Sequence, residues 1–141
     1  MEKDLKELLL KDLSARLPYG VKGQAKGMIK FFGDEEVSDE PWTLTDINVQ
    51  LNRFGADSQT NIPLYNRIGE YNFKPYLFPL SSMTKEQKEE MKSFDPFKTE
   101  ETKTFGQWAF HLVDFYNKYH FDYRGLIEKG LALDATGLNI Y

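Results

Sequence analysis

A chain of 141 residues, 40% hydrophobic and 28% charged, is long enough to bury one core and too apolar to stay disordered. Its formal charge of −4 gives no general attraction to phosphate backbones, which ranks nucleic acid below protein as a partner class. The absence of cysteine excludes disulfides, thiol nucleophiles and thiolate metal sites, and without a glycine-rich phosphate loop or a zinc-type histidine pair no cofactor is implied.

Residues 1–17 read as an amphipathic helix. Leu5, Leu8, Leu9, Leu13 and Leu17 recur at spacings of three and four, with Lys3, Glu7, Lys11 and Asp12 mostly opposite. Pro18-Tyr19-Gly20 stops it. The mixed charges before Leu8 are not the basic start of a signal peptide. No stretch approaches the roughly 20 apolar residues of a membrane span, so a cytoplasmic protein is expected.

Residues 21–77 read as antiparallel strands. Val21, Ala25, Ile29 and Phe31 alternate with Lys22, Gln24, Lys26 and Lys30, and Gly23 and Gly27 fall on the apolar side, where a close backbone approach is expected. The lysine row reads as a solvent face. The acidic stretch 33–41 lacks the ligand spacing of a calcium loop and reads as a turn. Trp42 to Phe54 reads as one strand with Thr43, Thr45, Ile47, Val49 and Leu51 on a face, followed by a loop from Gly55 to Asn61. Ile62–Ile68 and Tyr71–Leu77 complete the set, with Pro63 and Pro75 at sheet edges or strand ends.

The second half reads as helical. Thr84-Lys-Glu-Gln87 has capping-box spacing and opens a charged surface helix over 84–93. Thr104-Phe-Gly-Gln107 repeats it and opens a helix over 104–119, with Phe105, Trp108, Ala109, Leu112, Val113, Tyr116 and Tyr119 on one face. His111 lies off that stripe, where Asp114 can pair with it. Residues 121–141 read as a turn and a docked tail, with Leu131–Leu133 extended enough to join the sheet. The expected fold is a single α+β domain, its small curved antiparallel sheet, or partly open barrel, flanked by an N-terminal helix and C-terminal helices.

Three phrases, Leu13-Ser-Ala-Arg-Leu-Pro-Tyr-Gly-Val21, Lys74-Pro-Tyr-Leu-Phe-Pro-Leu-Ser-Ser-Met-Thr84 and His120-Phe-Asp-Tyr-Arg-Gly-Leu-Ile127, together resemble a group of small uncharacterised proteins of gut Bacteroidetes. That group often occurs in prophage-like or mobile regions. The resemblance covers about Leu8 to Tyr141 and implies a cytoplasmic accessory protein. It brings no activity and no functional residues.

The chemistry concentrates in Tyr116–Ile127, which holds four aromatics, His120, Asp122 and Arg124. His120 as acid/base, Asp122 as its orienting partner and Arg124 as an anion clamp would make a small enzyme. Residues two apart share a face only on an extended chain, and no second acid/base cluster accompanies them. A structural reading suits them better: Phe121 and Tyr123 anchor a turn, Asp122 caps it, and Arg124 pairs with a carboxylate or terminal carbonyls. No catalytic residue is assigned. As binding candidates Tyr65, Arg67, His120, Asp122, Tyr123 and Arg124 remain, since exposed tyrosine and arginine favour interfaces. Tyr65-Asn-Arg67 and Tyr71-Asn-Phe-Lys74 faintly interleave rings and cations as single-stranded nucleic-acid binders do. The expected function is therefore a non-catalytic accessory or binding protein acting through protein–protein contacts, self-association included.

Overall fold

The computed structural model of the protein describes residues 3–25, 41–48, 53–57, 63–67, 73–94 and 105–141. Along them run α1 (Lys3–Arg16), a 3₁₀ turn (Leu17–Tyr19), β1 (Lys22–Ala25), β2 (Trp42–Asn48), β3 (Arg53–Asp57), β4 (Pro63–Arg67) and β5 (Phe73–Leu77). A second 3₁₀ turn (Leu80–Ser82), α2 (Lys85–Lys92), α3 (Phe105–Lys118) and β6 (Leu133–Asp134) follow. The strands lie in the order β4-β3-β2-β1-β5-β6. The fold is α+β with a curved, open sheet that does not close into a barrel. Strands β1 to β5 pair antiparallel, but β6 joins β5 in parallel, so the sheet is mixed rather than wholly antiparallel.

The leucine spacing of α1 does what it predicts. Leu9 and Leu13 are buried, and Leu5, Leu8 and Leu17 pack against the same core as Trp42, Phe54, Phe73 and Leu126. The helix stops where Pro18 enters the 3₁₀ turn and Gly20 adopts φ 67. Asp12 departs from expectation. It is fully buried, because Arg16, one turn later on the same face, is buried with it as an ion pair.

Val21, just before β1, and Gly23 within it are buried while Lys22 and Gln24 are half-buried, as the alternation requires. Lys26 and Lys30 lie outside the described residues. A Cβ on Gly23 would stand 2.6 Å from Phe73 Cζ and 2.7 Å from the Lys74 carbonyl oxygen. The Phe73 ring has little room to withdraw, since it packs on Phe54 with centroids 4.8 Å apart. Gly23→Ala should therefore cost about 1–3 kcal/mol in urea unfolding, the usual price of overpacking. An unchanged midpoint would show that β1 and β5 separate there without penalty.

The stretch read as one strand from Trp42 to Phe54 holds β2 and the start of β3, and the first three residues of the expected loop, Gly55 to Asp57, belong to β3. Two facts explain the error. Gly55 and Ala56, which resemble turn residues, are buried beside Phe54 in the middle of the sheet. Opposite them the register shifts between Leu44 and Asp46, so Thr45 is an extra residue in a bulge. The bulge changes the phase of β2: Trp42 and Leu44 are buried and Ile47 packs against the core, whereas Thr43 is half-buried and Thr45 exposed. A strict period of two placed Thr43 and Thr45 with Ile47. Val49 and Leu51 lie outside the described residues.

Pro63 begins β4 at the sheet edge, where a missing N–H is tolerated. Pro75 instead sits inside β5, between β1 and β6. Backbone groups alternate along a strand, and the Leu77 carbonyl accepts Ala135 N–H on the β6 side. Position 75 faces that side too. There β6 pairs only with Tyr76 and Leu77, so no ladder bond is lost.

The capping box of α2 forms as its spacing predicts: Gln87 N donates to Thr84 Oγ1 and Thr84 N donates to Gln87 Oε1. The helix buries none of its side chains. Thr104 of the second box, and the stretch 97–103, lie outside the described residues. The burial of α3 differs from the expected stripe. Phe115 and Asn117 are its buried residues among those described, Trp108, Leu112, Tyr116 and Tyr119 are half-buried, and Ala109 and Val113 are exposed. Phe115 is drawn inward by rings the helical period could not foresee: Phe94, Tyr119 and Phe121 surround it with centroids 5.2–6.0 Å away. His111 stacks on Phe94, and Asp114 accepts from Tyr19 Oη instead of pairing with His111. No described helix is long and apolar enough to cross a membrane.

Candidate functional site

The turn after α3 is built from the helix end outward. Phe121 N–H donates to the Tyr116 carbonyl and His120 N–H to that of Asn117, the paired bonds of a Schellman cap. That cap needs a left-handed residue, and the sequence supplies His120 at φ 59 in place of glycine. Such a conformation costs about 1–2 kcal/mol for a residue with a side chain. Phe78 then clamps the turn: its N–H donates to the His120 carbonyl and its carbonyl accepts Asp122 N–H, both at 2.8 Å.

Asp122 is buried and spends both carboxylate oxygens on backbone amides, Leu126 N at 2.8 Å and Ile127 N at 2.9 Å. It caps the 123–127 turn. Phe121 is buried against Phe115 and Tyr116. Tyr123 stacks on Tyr116, donates its hydroxyl to Asn117 Oδ1, and holds two guanidinium groups near its ring, Arg16 at 5.0 Å and Arg124 at 5.2 Å from the centroid. Arg124 Nε lies 3.5 Å from Asp12 Oδ1.

The residue that organises this cluster is Arg16, which sequence reasoning missed. It is fully buried, donates through Nε to Asp12 Oδ2 and through Nη2 to the Phe121 carbonyl, each at 2.7 Å. The signal was present. Leu9, Asp12, Leu13 and Arg16 share one face of α1, which places an i, i+4 ion pair on the leucine stripe. Burial nevertheless raises the Asp12 pKa, outweighing the guanidinium that lowers it.

His120 is 8% exposed and its pKa is pushed down to about 4, first by burial and then by the Arg16 and Lys22 charges. Its ring lies flat on Tyr141, centroids 3.6 Å apart and planes 11° from parallel. The structure thus brings His120, Asp122, Tyr123 and Arg124 into one neighbourhood but gives each a different partner. Asp122 orients backbone amides, not the imidazole, and Arg124 faces Asp12. A cavity of about 380 Å³ opens beside the turn, with Leu80, Tyr123, Ile127 and Glu128 in its wall. Of the cluster, Asp122 and Tyr123 line it, and the carboxylate of the one and the hydroxyl of the other are already engaged as described.

Tyr65 and Arg67 are not part of this neighbourhood. In backbone register they face Gly55 and Arg53 on the edge strand β4, and their side chains lie outside the described residues. Four strand spacings, about 19 Å, separate β4 from β5 and its Phe78 clamp. Tyr71 also lies outside the described residues. The Lys22 side chain is half-buried rather than free on a solvent face, and its Nζ donates to the Ile140 carbonyl. Comparison of the chain with protein-family models, with curated proteins and with solved structures found no match in any of the three.

Proposed function

We propose that the protein is a non-catalytic accessory protein that works through protein–protein contacts, and that α3 presents the contact surface. The observation that carries this reading is Phe110, 76% exposed on the outer side of α3 beside Val113 at 38%. Ala109 adjoins them, and Asp114 and Lys118 flank them with polar groups. An aromatic anchor with an apolar neighbour and a charged rim is the composition of an interface hot spot. The acid/base candidates support the same reading from the other side, since His120, Asp122 and Arg124 are occupied in holding the turn.

A photo-crosslinking residue at position 110, expressed in the natural host, tests the proposal. It should give discrete covalent adducts, whereas the same residue at Lys88, exposed on α2, should give none. Phe110→Glu should abolish the interaction with the captured protein, or self-association in sedimentation, while leaving the melting temperature within about 2 °C, because an exposed side chain contributes little to stability. Equal labelling at both positions, or no adduct at 110, would refute it.

A further inference from the structure

Tyr141 is 42% exposed, yet its hydroxyl reaches between two strands. It accepts Lys22 N–H of β1 at 2.9 Å and donates to the Tyr76 carbonyl of β5 at 2.8 Å. The described β1–β5 ladder runs from Gly23↔Pro75 to Ala25↔Phe73, so this hydroxyl stands where the next ladder bond would form. Its ring is held flat against His120, and Lys22 Nζ reaches the neighbouring Ile140 carbonyl. Upstream, Ala135 is buried and hydrogen-bonded to Leu77, while residues 136–139 are exposed and include Gly137 at φ 76 and Asn139 at φ 55. The segment is fixed at 135 and pinned again at 140–141, with the exposed turn 136–139 between them.

The pin rests on a neutral imidazole. Among the described residues, the charges acting on that ring are the Arg16 guanidinium from α1 and the Lys22 ammonium from β1, both positive. Tyr141 itself brings a phenol, and burial raises its pKa. The nearby carboxylates are engaged elsewhere, Asp12 by Arg16 and Arg124 and Asp122 by the amides of Leu126 and Ile127. His120 Nδ1 is buried with no hydrogen-bond partner among the described residues. A proton on the ring would therefore place a third positive charge beside two others, on a residue only 8% exposed to water.

We infer that the His120–Tyr141 stack is an acid-operated latch: protonation of His120 ejects the Tyr141 ring and frees residues 136–141 from the sheet, while the core stays folded. In the open form His120 meets water and regains its ordinary affinity for protons. Because the closed form has the lower pKa, its advantage is complete above about pH 6.5 and is lost progressively as pH falls toward 4. The separation between the ordinary 6.5 and about 4 sets the range, roughly a 300-fold shift in the ratio of open to closed.

Amide hydrogen exchange read by NMR between pH 7.5 and 4, corrected for intrinsic rates, tests this. Protection of Lys22 N–H should fall by roughly 150-fold by pH 4, half of the full shift, while Phe54 and Ala56 in β3 stay protected. The His120 ring, distinguished from His111 by a His111→Gln variant, should titrate with the same midpoint. His120→Asn, which tolerates the left-handed backbone but takes no proton, should remove the pH dependence. Loss of Lys22 protection in step with the β3 amides, or midpoints more than a unit apart, overturns the latch in the wild-type protein alone. Retained pH dependence in a folded His120→Asn variant overturns it independently.

Discussion

Arg16→Ala should lower the free energy of unfolding by about 3–5 kcal/mol, the usual effect of breaking a buried ion pair from one side. The loss has three sources in the structure. Asp12, with no exposed surface, is left with only the 3.5 Å approach of Arg124 Nε to balance its charge. The Phe121 carbonyl loses its 2.7 Å donor, and Tyr123 loses one of its two cations. Urea unfolding measures the effect, and a loss under 1 kcal/mol would contradict it. Replacing both partners, Asp12→Leu with Arg16→Met, should recover most of the stability, because no buried charge then remains unpaired. The pH dependence carries a definite sign. Asp12 already has a raised pKa, and removing the guanidinium raises it further. A carboxyl that binds its proton more tightly when folded favours folding at low pH, and that contribution is lost as pH rises through the folded pKa. The Arg16→Ala deficit should therefore shrink on acidification. Relief of His120 from the same cation acts in the same direction.

Asp122→Ala should cost about 2–4 kcal/mol, because it strands the amides of Leu126 and Ile127, each worth roughly 1–3 kcal/mol when buried without a partner. Leu126 is fully buried in the main core, so the turn cannot rotate its amide to water without withdrawing that side chain. Asp122→Asn is the discriminating variant. Its single carbonyl oxygen can serve one amide while its NH₂ opposes the other, so about half the loss should appear. A full loss in the asparagine variant would mean that charge, not acceptor count, holds the turn. The two aspartates of the cluster thus answer to different physics: Asp12 to its countercharge, Asp122 to the number of lone pairs it offers.

Much of the architecture was legible because local patterns there agree with tertiary packing. The leucine stripe of α1, the alternation of Val21 to Gln24 and the Thr84 capping box are each decided by neighbours within a few residues. The failures share a cause in longer-range contacts. The Thr45 bulge depends on pairing with β3, which inverts the phase of β2 without any mark in the β2 sequence. Phe115 turns inward because Phe94, from just after α2, and Phe121, past the end of α3, meet over it. At the candidate site, the structural duties of Asp122 and Arg124 could be read as residue types, but Asp12 and Arg16 could not be connected to them. The sequence reads Tyr141 as part of a docked tail, and its seat on His120 is visible only with α3, β1 and β5 side by side.

The bond from Arg16 to the Phe121 carbonyl joins residues 105 positions apart. Its consequence reaches into the order of assembly. As the chain is synthesised, α1 emerges with a charged pair and a leucine stripe whose acceptor and much of whose apolar cover do not yet exist. At about 5–20 residues per second, that interval lasts roughly 5–20 s. Contacts of such long sequence separation slow folding, because the intervening chain must be ordered before they form. For that time α1 is an unsatisfied amphipathic helix. Its bond to Phe121 cannot form until residue 121 has been made.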